Sequence, residues 1–283
     1  MSYVDFAVKG TSAPRAPGCV IVFGNEKGGT GKSTAAANVA IALMRHGASV
    51  DTIDLDPRQG TLSRYFENRV QFAKAQGKEL PMPRHVRINP IAPAAADTME
   101  GEAQRRLGDV IGRMNDRDYI VIDTSGSDSA LSRAGHDLAD VLITPINDSL
   151  VDIDVLARVD AGKREVLGPS IYCKTVWERH NRRVVEGYGP IRWFVMRNRL
   201  AHIDSRNRRD MDVLLQKLAQ RNGFRLAPGF GERTVYRELF PNGIAVADLS
   251  LNGTARVNFS HLAAFEEVEA LLAATGLAAA GRA

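Results

Sequence analysis

Gly24-Asn25-Glu26-Lys27-Gly28-Gly29-Thr30-Gly31-Lys32-Ser33-Thr34 separates the apolar run Cys19-Val20-Ile21-Val22-Phe23 from a helix-like stretch, Ala35–Arg45. A glycine-rich turn between strand and helix lets backbone N–H groups wrap a polyphosphate, and the helix N-terminus adds a positive dipole. Lys32 supplies a point charge for the β- and γ-phosphates, and the Ser33 hydroxyl is placed to ligate Mg²⁺. Strand, loop and helix fall in the order the motif requires. The chain is therefore expected to bind a nucleoside triphosphate through Asn25, Gly28, Gly29, Thr30, Gly31, Lys32, Ser33 and Thr34. Two features depart from the common pattern: Glu26 stands where its first glycine would be, and Lys27 is an additional lysine. Lys27 and Lys32 cannot easily wrap one phosphate from the same side of a loop. Lys27 is expected to point elsewhere, toward a second subunit's nucleotide; a solvated lysine is the alternative.

Outward from the loop, Val50–Asp54, Tyr119–Ile122, Val141–Thr144 and Ile191–Met196 read as further strands, with a short one near Val86–Ile88. Helical patterns cover Ser33–His46, Leu62–Ala75, Glu102–Met114, Leu131–Leu138, Ser149–Leu167, Ser205–Gln220 and His261–Thr275. Near-continuously apolar strands alternating with helices predict an α/β fold: a mostly parallel, twisted, P-loop NTPase-like sheet covered by helices on both faces. At 283 residues and 44% hydrophobic content, one large domain over 19–283 is expected, after a flexible arm over 1–18. No apolar run approaches the ~20 residues of a membrane span, and no signal peptide precedes the first strand, so a cytoplasmic protein is expected. Cys19 and Cys173 are the two cysteines, too few for a disulfide framework or a metal cluster.

Carboxylates cluster at strand ends. Asp123 closes Tyr119-Ile120-Val121-Ile122, where an acid holds Mg²⁺ beside a phosphate loop, although strand-end acids also act as caps. Asp54 and Asp56 sit at i and i+2 and point the same way from an extended chain; a plain Asp56-Pro57 turn is the alternative.

The net charge of +4 is unevenly spread: Lys174–Phe240 carries 15 Lys/Arg and 7 Asp/Glu, a net +8, leaving about −4 elsewhere. In the helix Ser205–Gln220, Met211, Leu214, Leu215 and Leu218 form a core stripe, with Arg206, Arg209 and Lys217 opposite. Arg221 and, further on, Arg233 extend this basic segment. It reads either as a solvated amphipathic face or as a surface for the phosphate backbone of DNA, bound without regard to sequence.

The Lys-Gly-Gly-Xaa-Gly-Lys-Ser form of Lys27–Ser33 resembles the deviant Walker A ATPases, the SIMIBI-type family of ParA and MinD. That resemblance implies ATP and Mg²⁺ as cofactors and a homodimer that sandwiches ATP, with Lys27 crossing to the partner's phosphates and Lys32 in its own cradle. It further implies that Asp56 orients the attacking water, that Asp54 supports the Mg²⁺ region beside Ser33 and Asp123, and that Asn198 meets the adenine edge. Ser125-Gly126 departs from the proline that relatives carry after Asp-Thr. Thr144–Ser149, Thr175–Glu178, Arg197–Ala201 and Val235–Pro241 are similar to the MipZ branch, regulators of the bacterial division plane. This implies recruitment of monomers by ParB near the cell poles, non-specific DNA binding by the ATP dimer on the nucleoid, inhibition of FtsZ polymerisation, and reset by slow hydrolysis. A ParA-type partitioning ATPase is the main rival. Glu266, Glu267 and Glu269 in the last helix argue against a MinD-like membrane anchor, and no additional acid/base cluster supports a biosynthetic enzyme.

Overall fold

The computed structural model describes residues 18–89, 91, 95–114, 116–160, 165–200, 206–249 and 258–277; the expected arm, apart from Gly18, lies outside them. Strand β1 (Cys19–Phe23) sends Val20 and Val22 into one core and Ile21 and Phe23 into another, which is why its sequence is apolar without interruption. The chain continues through α1 (Lys32–Arg45), β2 (Val50–Asp54), α2 (Thr61–Gln76), β3 (Arg84–Arg87), α3 (Ala96–Gly112), β4 (Tyr119–Asp123) and α4 (Ala130–Leu138). Then follow β5 (Val141–Asn147), α5 (Leu150–Ile153), β6 (Ala157–Asp160), β7 (Glu165–Pro169), α6 (Ile171–Val185) and β8 (Arg192–Asn198). The last elements are α7 (Arg206–Asn222), β9 (Arg225–Ala227), α8 (Val235–Leu239), α9 (Val246–Leu249) and α10 (Phe259–Thr275).

Seven strands form one sheet in the order β3-β2-β4-β1-β5-β8-β9, every neighbouring pair parallel. Helices α1, α2 and α10 cover one face; α3, α4, α6 and α7 cover the other. The registers align Phe23, Asp54 and Asp123 in one row across β1, β2 and β4. The turns that leave these three strands therefore meet at one edge, where ligands bind in open α/β sheets.

The expected helix Ser149–Leu167 is not formed. Its first turn survives as α5, and β6 and β7 then pair antiparallel apart from the main sheet. Ala157-Arg158-Val159-Asp160 alternates apolar and polar residues at a period of two, so the strand pattern overrides the helical reading there. Conversely, α6 has no counterpart among the expected helices. Ser170 caps it, its Oγ accepting from Cys173 N at 2.9 Å, and Tyr172, Cys173 and Val176 supply its buried face. Arg179 and Arg183 on the same face are buried too, which hides the helix in a sequence read by hydropathy.

The C-terminal part is fastened by charge. Asp248 on α9 accepts from Arg69 Nη1 at 2.6 Å and from Arg45 Nη2 at 2.6 Å, all but Arg45 fully buried, and this ties α9 to α2 and α1.

Candidate functional site

Loop 24–31 leaves β1 and closes on α1. Gly29 and Gly31 adopt φ of 74° and 88°, and a Cβ on Gly31 would lie 1.9 Å from Asn198 Nδ2. Glycine at 31 is thus required both by conformation and by space. Asn25 shapes the loop rather than lining it: Nδ2 donates to Pro145 O at 2.6 Å and Oδ1 accepts from Lys27 N at 2.8 Å. Thr30 is buried. Lys32 is buried, its Nζ donating to Lys27 O at 3.0 Å. Burial lowers its pKa, partly offset by Asp123 and Asp56. The ammonium points into the cradle, ready for phosphate oxygens.

Asp123 is fully buried, and both carboxylate oxygens lack a hydrogen-bond partner. Burial, then the nearby Asp54 and Asp56, push its carboxyl up to about 8 against the pull of Ser33 and Lys32. A desolvated, unpartnered carboxylate beside a serine hydroxyl fits a hard divalent cation. Ser33 and Asp123 would hold Mg²⁺ here. Asp54 differs from the expectation. Its Oδ1 accepts from Asp56 N at 2.9 Å, and Oδ2 accepts from Ser63 N at 3.0 Å and Ser63 Oγ at 2.8 Å. Its oxygens are committed to the turn at 54–56 and to the start of α2, so it positions Asp56 instead of presenting a free ligand.

Asp56 Oδ1 accepts from Arg58 N at 3.2 Å and Gln59 N at 3.0 Å, an Asx turn. Asp56 also lines a cavity of about 390 Å³ shared with Gly28 and Ser125–Leu131. Across that cavity Gly126 closes on the loop, where a Cβ would meet Gly28 Cα at 2.7 Å.

A second cavity of about 230 Å³ lies on the other side of the loop, lined by Thr34, Asn198, Arg199, Arg233, Tyr236 and Phe240 among others. Asn198 Nδ2 donates to Thr30 O at 2.8 Å, fixing that wall to the phosphate loop.

Lys27 does not point freely outward. Its Nζ forms an ion pair with Asp152 on α5, and Asp152 Oδ2 accepts from Asn147 N at 2.9 Å. Asp152 is buried, whereas the Lys27 side chain is 35% exposed. Sequence reasoning missed Asp152, although Ser149-Leu150-Val151-Asp152 has the spacing of a helix-capping box.

Four arginines of the basic segment are paired with acids, most of them from outside it. Arg179 pairs with Glu100 and Asp137, Arg183 with Asp140, Arg197 with Asp148 and Asp212, and Arg233 with Glu267. Arg233 also lines the cavity beside Asn198, apart from the α7 residues. On α7, Arg209, Lys217 and Arg221 are exposed, Arg209 with an interaction of its own; the side chain of Arg206 lies outside the described residues.

The family described as ATPase MipZ matches residues 19–279. Among solved structures, the chain is similar to the ATP complex of a Cyanothece McdA variant, with TM-score 0.62 and 18% identity, covering 93% of this chain and 98% of that one. It is also similar to a plasmid partition protein from Borrelia burgdorferi bound to AMPPNP (TM-score 0.54, 16% identity, 91% and 99% covered). Pyrococcus furiosus cell division ATPase MinD gives TM-score 0.52 at 18% identity, covering 89% and 98%. At these identities the likeness is one of fold. An iron-sulfur cluster carrier protein from Pseudomonas fragi is 33% identical over 115 residues, a stretch that spans 40% of that relative's length and 37% of this chain.

Proposed function

We propose a mechanism from the premise that this chain belongs to the ATPase MipZ family and is a ParA/MinD-type ATPase: it is an ATP-driven dimerisation switch that restrains FtsZ polymerisation. The observation that carries the reading is the pairing of a complete phosphate cradle with a second lysine, Lys27, parked on Asp152 at the loop's rim. Lys32 and the loop N–H groups neutralise the triphosphate, and the cation held by Ser33 and Asp123 would supply further charge at the β- and γ-oxygens. Asp56, steered by Asp54, accepts a hydrogen bond from the attacking water and aligns it with the γ-phosphorus. Lys27 leaves Asp152 and enters the partner's site, adding positive charge where the loose transition state of phosphoryl transfer spreads its negative charge.

In this reading the ATP dimer joins two α7 surfaces into one basic face for DNA, held through Lys217 and Arg221 and aided by Arg206 and Arg209. ParB captures the monomer near the poles, and hydrolysis returns the dimer to that pool, keeping the inhibitor polar and nucleoid-bound. No helix among the described residues is long and apolar enough to cross a membrane. Light scattering of FtsZ assembly tests the proposal. Polymer should fall when this protein and ATP are both present and recover with ADP. Unchanged assembly, with ParB-stimulated turnover and DNA binding intact, would favour the partitioning ATPase instead.

A further inference from the structure

A buried polar chain lies behind the phosphate loop, and none of its members figures in the hydrolysis mechanism. Tyr172, at the start of α6, donates its hydroxyl proton to Gly24 O at 2.8 Å. The same oxygen lies 3.1 Å from His136 Nε2 on α4 and 3.1 Å from Thr144 Oγ1 on β5. Trp193 Nε1 donates to Thr144 Oγ1 at 3.0 Å, leaving the threonine's own proton for Tyr172. His136 Nδ1 is 2.6 Å from Ser132 O, and Ser132 Oγ is 2.9 Å from Ser125 Oγ in the turn that follows Asp123. His136, Thr144 and Tyr172 are buried.

Counting protons exposes a conflict. A carbonyl only accepts, so the ring proton of His136 must sit on Nδ1, and Nε2 of the neutral ring is an acceptor. Burial lowers the pKa of His136 and keeps it neutral, against Asp137 and Asp128 and with Arg179. Gly24 O and His136 Nε2 therefore compete for the single proton of Tyr172. The groups are in direct contact at the loop's origin: a Cβ on Gly24 would lie 2.5 Å from His136 Nε2.

We infer that Tyr172 is a positioning residue whose one hydroxyl proton alternates between Gly24 O, which fixes the phosphate loop for nucleotide, and His136 Nε2, which ties α6 to the helix behind the Asp123 turn. With the proton on Gly24, the peptide leading into the loop is held from behind, while Gly24 N donates to Ile143 O at 3.0 Å. With the proton on His136, that carbonyl is released and the loop loses one restraint. Nucleotide selects the first arrangement. The turn after Asp123 shares the alternation through Ser125 and Ser132. This inference rests on ATP binding at the loop and on nothing concerning FtsZ, ParB or DNA.

The test is the sign of two substitutions in equilibrium binding of ATP with Mg²⁺, with thermal melts to confirm folding. Tyr172→Phe removes the donor and should raise the Kd roughly tenfold, the effect of stripping one hydrogen bond from a buried carbonyl. His136→Leu removes the competitor and should lower the Kd about twofold, the gain when a state populated evenly becomes the sole state. In both variants kcat should change less than the ATP affinity. Weakening in both would mean that the chain is only scaffolding, and unchanged affinity in both would mean that the proton is not contested; either overturns the inference. Should His136→Leu fail to fold, the ring ¹⁵N shifts of His136 in the unmodified protein decide. Nε2 should lose its hydrogen bond on saturation with nucleotide, and an unmoved shift overturns the proposal.

Discussion

Asp152→Asn isolates the contact that holds Lys27 at home. Asparagine keeps the oxygen that accepts from Asn147 N but removes the charge that retains the lysine. A hydrogen bond between charged groups contributes about 1.5–3 kcal/mol. Lys27 is 35% exposed, and solvent screening at such a surface brings the value down to about 1 kcal/mol. Two such contacts must open for each dimer, so their loss should favour association by about 2 kcal/mol, or roughly 30-fold in the dimer dissociation constant. Sedimentation velocity over a range of protein concentrations, with Mg²⁺ and a non-hydrolysable ATP analogue, measures this directly. Lys27→Ala should abolish the same association. If Asp152→Asn associates as the unmodified chain does, or more weakly, the ion pair is no restraint on dimerisation and the reasoning fails.

Asp56→Ala should bind ATP and accumulate as dimer while phosphate release falls by at least ~10²-fold, the usual scale for losing a group that positions a nucleophile; normal turnover would remove Asp56 from the mechanism. Because the Asp123 carboxyl is raised to about 8 in the fold, the folded chain binds a proton that the unfolded chain releases near pH 4. Stability of the metal-free protein should thus decline as pH rises from about 4 through 8, and both Asp123→Asn and Mg²⁺-nucleotide should flatten that slope in thermal melts. Arg69→Met removes one of the arginines that neutralise Asp248 and should destabilise by about 3 kcal/mol in denaturant titrations, the scale for breaking a buried ion pair. Lys217→Ala combined with Arg221→Ala removes four cations from the dimer and should weaken DNA retention equally across sequences, reducing the slope of log Kd against log salt by about 3.6; an unaltered slope would move the polyanion surface elsewhere.

The fold was legible where chemistry is local. Glycines forced the loop at 24–31, and uninterrupted apolar runs announced β1, β4 and β5 because helices cover both of their faces. Arg179 and Arg183 concealed α6, since a buried arginine looks like surface until its acid is known, and Asp137 and Asp140 arrive from 42 and 43 residues away. The partners of the arginines in Lys174–Phe240 were hidden for the same reason: Glu100, Asp137, Asp140, Asp148 and Glu267 all lie outside that segment. At the site, the loop and Asp123 could be read from motif and strand end. Asp152 and Tyr172 could not, because their contacts with Lys27 and Gly24 span 125 and 148 residues. The satisfied carboxylate of Asp54 was equally hidden, since nothing in the sequence marks Ser63 as its partner.

The alignment of Phe23, Asp54 and Asp123 in one row makes strand length as strict a requirement as any side chain. Adding or deleting one residue within Tyr119–Asp123 would shift the carboxylate by about 3.3 Å and turn it to the opposite face of the sheet. Every residue of the motif would still be present, yet the cation would have nothing to meet. Evolution can trade side chains at this edge one by one, but it cannot change the count.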